Sequence, residues 1–295
     1  MISSLELCIE SALAGGRAAL HCAHSAAQKK LGSDVEHHAI VSEADYLSQE
    51  AILYTLDQKD PQALFITEEN VKDKRLLQKI LGPERLEMLR SSRVYIIDEL
   101  DGSSSHNAGH YEWSISVGCV ENGIPVAGAV YAPSVLGGFL CYGSKGEGVF
   151  ERVRGRDEKV NASEKSLEDS YVYFGVDCVL SDKYPLHHQL MGTLSPLVRT
   201  TNMNGSCALP LALIAAGRGE ALVQPIQSVW DYAAGMLLVE EAGGRMLFYE
   251  MDKQGACFSI DRLELRHYNP SKRNVGFIAG NKMIVEHITQ RYLIK

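Results

Sequence analysis

Tyr95-Ile96-Ile97-Asp98-Glu99-Leu100-Asp101-Gly102-Ser103-Ser104 is the stretch around which this 295-residue chain is organised. Val94 to Ile97 is a compact β-favouring run, read as a buried strand that stops at Asp98. Asp98 and Asp101, followed at once by a glycine and two hydroxyls, bring hard oxygen donors to the end of that strand. Magnesium takes such donors and keeps waters in its shell, which suits hydrolysis. Gly102 lets the backbone approach a ligand closely, and N–H groups at a turn or helix start beyond it suit a phosphate. A solvated acidic loop closed by a glycine turn is the competing reading of the same residues.

The apolar periods on either side supply the frame. Upstream, Leu5, Cys8, Ile9, Leu13, Ala18, Leu20 and Ala23 recur near helical spacing. They predict one long amphipathic helix from Ser3 to about Lys30, weakened at Gly15-Gly16. A second helix is predicted from about Glu43 to Leu56, then a short strand, Ala63 to Ile66, ending at Thr67, Glu68 and Glu69. Residues 71–90 suit a surface helix, or two joined near Gly82-Pro83. Downstream, Ser114–Val120, Pro125–Tyr131 and Gly138–Tyr142 are strand-like, and Asn122-Gly123 between apolar runs signals a hairpin, so this middle is read as antiparallel sheet. After a polar stretch near 154–169, short strands alternate with helices. The strands are Tyr171–Phe174, Leu197–Thr201, Ala221–Val223, Met246–Tyr249 and Val275–Ala279; the helices are roughly 184–195, 207–216, 231–242 and Lys282–Leu293. With no repeat and no linker, residues 1–295 are expected to form one α/β (α+β) domain, whose halves, about 1–155 with most of the acids and 156–295, share an extensive interface.

The composition, 45% hydrophobic and 22% charged, is that of a globular chain. A formal charge of -8 opposes sequence-blind attraction to a nucleic acid polymer. It does not oppose a small anionic substrate, because a bound divalent cation reverses the local sign. The seven cysteines are scattered, with no pair at zinc-knuckle or redox spacing, and are read as reduced thiols. No secretory signal and no run approaching the ~20 apolar residues of a membrane span is seen, so a cytoplasmic protein without a membrane partner is expected.

Four segments together carry a family resemblance. Asp98-Glu-Leu-Asp101-Gly102-Ser103 resembles the Asp-Pro-Ile/Leu-Asp-Gly-Thr/Ser signature of the inositol monophosphatase superfamily. Val41-Ser-Glu-Ala-Asp45 is similar to its Val-Thr-x-x-Asp element, Thr67-Glu68-Glu69 to its Gly-Glu-Glu, and Trp230-Asp231-Tyr-Ala233-Ala-Gly235, leading to Glu240-Glu-Ala-Gly-Gly244, to its late Trp-Asp-x-Ala-x-Gly. They occur in the family's order. The resemblance implies a layered α/β/α/β/α sandwich and a lithium-sensitive hydrolase of a small phosphate monoester, served by two or three Mg2+ ions. A homodimer is expected on the same ground.

Carried over position by position, the resemblance implies that Glu68, Asp98 and the Leu100 carbonyl hold one metal, and Asp98, Asp101 and Asp231 a second. Asp45 contributes to a weaker third position. Ser103 and Glu68 orient the attacking water. Gly102, Ser103, Ser104, Ser206, Gln224 and Asp231 border the substrate, with Gly205-Ser206-Cys-Ala208 resembling the family's helix-opening Gly-Ser/Thr-Ala-Ala. Each has a plainer reading: Asp231 as a helix cap, Asp45 opposing a helix dipole, Ser103 as a turn hydroxyl, Ser206 as an N-cap. His37-His38 and His187-His188 are assigned to the surface, and His106, Asn107 and His110 to a loop near the pocket.

Three departures bear on selectivity. Glu99 stands where the family has proline, which adds charge and loosens the turn. Thr67 replaces a glycine, and Gln224 replaces a glutamate that touches a substrate hydroxyl in the inositol-specific members. The leading substrate is an inositol monophosphate or a related sugar or polyol phosphate. Fructose-1,6-bisphosphatase or nucleotide 3'-phosphatase activity is the alternative, although only Arg199, Arg218 and Lys145 offer a second anion site and Ser104 does not match the lysine of nucleotide-directed relatives. A regulatory protein that binds a phosphorylated ligand without cleaving it is the alternative from another class.

Overall fold

The computed structural model describes residues 2–22, 28–29, 40–175, 185–251, 257–271 and 275–292. His37, His38 and Cys178 lie outside them. In chain order, helix α1 (Ser4–His21) is followed by a two-residue ladder of β1 (Gln28–Lys29) with β2 (Ile40–Val41), then α2 (Glu43–Lys59), β3 (Leu64–Thr67), the short α3 (Lys74–Leu77) and a 3₁₀ segment, Pro83–Arg90. Strand β4 (Arg93–Asp101), the short α4 (Ser103–Asn107), and strands β5 (Ser114–Glu121), β6 (Ile124–Ala132), β7 (Phe139–Ser144), β8 (Gly148–Val153) and β9 (Arg156–Val160) complete the first half. The second half runs β10 (Tyr171–Phe174), α5 (Pro185–Leu194), β11 (Thr200–Asn202), α6 (Ala208–Ala215), β12 (Ala221–Gln227), α7 (Val229–Glu241), β13 (Arg245–Met251), β14 (Cys257–Ile260), β15 (Val275–Gly280) and α8 (Lys282–Tyr292).

Two mixed sheets result. The first runs β3-β4-β5-β6-β7-β8-β9, antiparallel except for β3 beside β4. The second runs β11-β10-β12-β15-β13-β14. Buried residues of α1 and α2 pack with Tyr95, Ile97, Ile115 and Val117 on one face of the first sheet. Val94 and Ile96, pointing the other way, join α6 and α7 and one face of the second sheet. α5 and α8 cover that sheet's far face through Leu190, Leu194, Ile284, Val285 and Ile288. The layers are therefore α/β/α/β/α, as the resemblance implied. Among the described residues no helix is long and apolar enough to cross a membrane, and six cysteines are free thiols.

The structure corrects several boundaries. α1 ends at His21, well short of Lys30. Gly15 and Gly16 are buried within it: a Cβ on Gly15 would lie 2.7 Å from Ile52, and one on Gly16 2.5 Å from Tyr131, so they permit close packing and do not mark a weak point. β4 does not stop at Asp98 but continues to Asp101. The polar stretch after 154 contains β9, whose first four residues are charged and exposed, as suits an edge strand that must resist pairing with another chain. Asn122 and Gly123 both have positive φ, the geometry of a two-residue hairpin turn.

One contact fixes where α7 lies. Gly118 and Gly128 face each other across β5 and β6. A Cβ on Gly118 would lie 2.9 Å from the Ala234 nitrogen, and one on Gly128 3.0 Å from the Ala234 oxygen. The backbone of α7 thus rests directly on the sheet, and Asp231, one turn before Ala234, is held at its level. Gly128→Val is expected to destabilise the protein by about 1–3 kcal/mol through overpacking, read as a lower midpoint in urea; an unchanged midpoint would show that α7 can shift without cost.

Candidate metal centre

Asp98 and Asp101 share one face of β4 because of a bulge. Asp98 pairs with Ser116 and Asp101 with Ser114, so three steps on β4 match two on β5. In a regular strand residues three apart point to opposite faces; the extra residue turns Asp101 back to the side of Asp98. That side faces α6 and α7. Asp231 arrives from the first turn of α7, where its Oδ2 accepts the Ser228 backbone N–H at 2.8 Å. Each of the three acids offers an oxygen, and these oxygens lie within 4.8 Å of one another, all from buried residues.

Asp101 is the most heavily bonded. Its Oδ2 accepts from Ser114 Oγ (3.0 Å), from Ser206 Oγ, and from the N–H groups of Ala208 (2.9 Å) and Leu209 (3.3 Å), while Oδ1 accepts the Cys207 N–H at 2.8 Å. Asp101 thus caps α6 from a distant strand, satisfying N–H groups that a helix start leaves unpaired. Oδ1 retains a lone pair for a cation.

Burial pushes the Asp98 carboxyl well above the usual range, and the nearby acids Glu68, Asp101, Asp231 and Glu99 push it further. Asp101 is raised by burial, partly offset by its hydrogen bonds, and Asp45 by burial against its serine partners. Among the described residues no ion pair is made to Asp98 or Asp101. Buried like charges without a counter-charge are costly. A buried set of carboxylate oxygens without imidazole or thiolate fits a hard cation such as magnesium.

Of the other predicted residues, Asp45, Ser103 and Glu68 lie beside this centre. Asp45, at the start of α2, accepts the Ser42 N–H and Oγ on Oδ2, both at 2.7 Å, and Ser103 Oγ on Oδ1 at 2.7 Å. The same Ser103 hydroxyl lies 2.9 Å from the Leu100 carbonyl. Glu68 follows β3 and is the largest charge acting on both Asp98 and Glu99. Gly102 has φ +88, and a Cβ there would lie 2.9 Å from the Glu112 oxygen, so glycine is required by this chain's own turn. Ser104 is exposed. The Ser206 hydroxyl and the N–H groups of Cys207, Ala208 and Leu209, expected to face substrate, are hydrogen-bonded to Asp101. Gln224 is buried in β12, and among the described residues its Oε1 has no hydrogen-bond partner.

Sequence reasoning missed Ser42, Ser228 and Ser114. The first two open Ser-x-x-Asp capping patterns at α2 and α7, a readable signal. Ser114 and Ser116 alternate along β5 opposite the acids, readable only once the bulge is known. The histidine assignments change as well. His187 is buried against Phe174, and His106 is buried edge-on to Trp113, its Nε2 3.3 Å from the Ala19 oxygen. Burial holds His187 down to about 4, a neutral ring at ordinary pH.

Comparison with known proteins points the same way. Residues 5–284 match the model of the inositol monophosphatase family. A Nus factor SuhB from Xylella fastidiosa is 32% identical over 204 residues, covering 68% of this chain and 67% of that protein. An inositol-1-monophosphatase from Bacillus subtilis is 30% identical over 200 residues, 68% of each. The solved structure of a Thermotoga maritima IMPase superposes with a TM-score of 0.70 at 26% identity, covering 96% of this chain and 93% of that one.

Proposed function

This chain belongs to the inositol monophosphatase family, and from that premise we propose that it is a magnesium-dependent phosphatase of a small polyol or sugar monophosphate, an inositol monophosphate foremost. The observation that carries the reading is the convergence of Asp98, Asp101 and Asp231 oxygens within 4.8 Å in a buried site. Asp98, Asp101 and Asp231 would hold one Mg2+, and Asp98, Glu68 and the Leu100 carbonyl another. When bound, such ions neutralise the phosphate dianion and acidify a water.

The chain's own groups do the rest. Ser103 Oγ, by donating its proton to Asp45, turns a lone pair toward the attacking water, and Glu68 takes a hydrogen bond from that water's other side. The N–H groups that open α4 after Gly102 are suited to phosphate oxygens. Gln224, whose buried Oε1 lacks a partner among the described residues, is suited to a substrate hydroxyl. Of the cations suggested for a second phosphate, Arg218 is held by Glu151 through two bonds of 2.7 and 2.9 Å and Arg199 is paired with Asp169, which favours a monophosphate over a bisphosphate.

Phosphate release from inositol, sugar and nucleotide phosphates, with magnesium varied, tests this. Magnesium-dependent release from a polyol or sugar monophosphate is expected, about ten-fold or more faster than from fructose-1,6-bisphosphate. No magnesium-dependent release from any member would leave the non-hydrolytic binding role instead.

A further inference from the structure

Two of the departures from the family wording, Glu99 and Thr67, meet in one buried network. Glu99 is next to Asp98 in sequence but points to the opposite face of β4, toward α2. Its Oε1 accepts the Glu69 backbone N–H at 2.7 Å. The Gln49 amide, oriented by its neighbours, donates to that same Oε1 and to the Glu69 carbonyl, both at 3.0 Å. Thr67 Oγ1 donates to the Glu69 carbonyl as well, at 3.1 Å, and Ser48 Oγ donates to the Glu99 carbonyl at 2.6 Å. Both backbone groups of Glu69 are therefore held.

The consequence falls on Glu68. On its N-terminal side Thr67 is fixed in the ladder opposite Ile97 of β4. On its C-terminal side Glu69 is tied to Glu99 of the same strand. Glu68 is bracketed between two attachments to the strand that carries Asp98 and Asp101. A ligand so bracketed has less conformational freedom to lose when it binds a cation.

Resting on the metal-centre reading above, we propose that Glu99 is a positioning residue: through the acceptor Oε1, with Thr67 and Gln49, it fastens the Glu68-Glu69 turn to β4 and so pre-sets Glu68 for metal. The side chain replaces by hydrogen bonding the rigidity that proline gives this turn elsewhere in the family. Glu99 thus ties the Glu68-Glu69 turn to β4.

The test is magnesium binding by calorimetry on the metal-free protein without substrate, beside kcat measured at saturating magnesium. Glu99→Ala removes the acceptor and is expected to weaken magnesium binding about ten- to a hundred-fold, the range for loss of a group that orients a ligand. Its kcat at saturating metal should stay within about three-fold, because Glu68, once it holds the metal, is fixed by that bond. Glu99→Gln keeps an acceptor for the Glu69 N–H and should restore binding to within about three-fold. Unchanged binding in Glu99→Ala overturns the proposal. So does equal loss in the alanine and glutamine variants, which would mean that the charge acts and not the tie. If Glu99→Ala does not fold, Gln49→Ala carries the same test: weaker magnesium binding supports the tie and unchanged binding overturns it. Asp98→Asn is the control; wild-type magnesium affinity in that variant would defeat the metal centre itself, a result distinct from failure of the tie.

Discussion

Asp98→Asn is expected to lower kcat/KM by about a thousand-fold or more while leaving a folded protein. A metal ligand shared between two positions contributes several kcal/mol to the transition state, and ~4 kcal/mol corresponds to about a thousand-fold. The fold should survive because Asp98 gives little to it: among the described residues its side chain accepts one hydrogen bond, from the Leu100 N–H at 3.1 Å, which an asparagine oxygen also accepts. The substitution also removes a charge that burial and four neighbouring acids oppose. Circular dichroism and a melting curve in EDTA should match or exceed wild type. A well-folded Asp98→Asn protein with wild-type turnover, free of contaminating phosphatase, would end the metal-assisted reading.

Magnesium should stabilise the protein more strongly as the pH rises. Asp98, Asp101 and Asp45 all have raised carboxyl groups relative to their ordinary value of 3.8. For such groups the folded state binds more protons than the unfolded one. Their contribution to stability is complete below about 3.8 and is lost as the pH climbs through the raised values. Buried His187, held down to about 4, acts in the opposite sense below its ordinary 6.5, since the unfolded chain takes up its proton there. Above about 6.5 the His187 contribution no longer varies with pH. In EDTA the contribution of these carboxyls should be lost as the pH rises through their raised values, and less of it in Asp98→Asn, read as the change of melting temperature with pH. Magnesium competes with those protons, so its effect grows in the same direction. At about a hundred times its dissociation constant the gain is ~2.7 kcal/mol, or about 5–10 °C for a chain approaching this size. A magnesium-induced shift equal at pH 5.5 and pH 8 would show that these carboxyls do not titrate against the metal.

The sheets were legible wherever apolar runs met turn residues, as at Asn122-Gly123, because burial and turn geometry are both local. β9 was not, since an exposed edge strand carries charge and shows no apolar alternation. The end of α1 at His21 was missed because helical apolar spacing continues in the letters beyond it. His187 was placed on the surface because adjacency to His188 says nothing about which of the two a neighbouring element will cover.

What the sequence determined by itself was the family and the ligand chemistry: acids of fixed type, in the order of a known family, with Gly102 at a turn that favours glycine. What the tertiary structure alone decided was how those acids are used. The bulge puts Asp98 and Asp101 on one face, the paired Gly118 and Gly128 let α7 bring Asp231 to them, Asp101 takes up the donors around Ser206, and Glu99 turns away to accept the Glu69 N–H. The reason is physical. Residue type sets which bonds an atom can make, but partners 30 to 105 positions apart in the chain, as between Glu69 and Glu99 or Asp101 and Ser206, are chosen only when the backbone is packed.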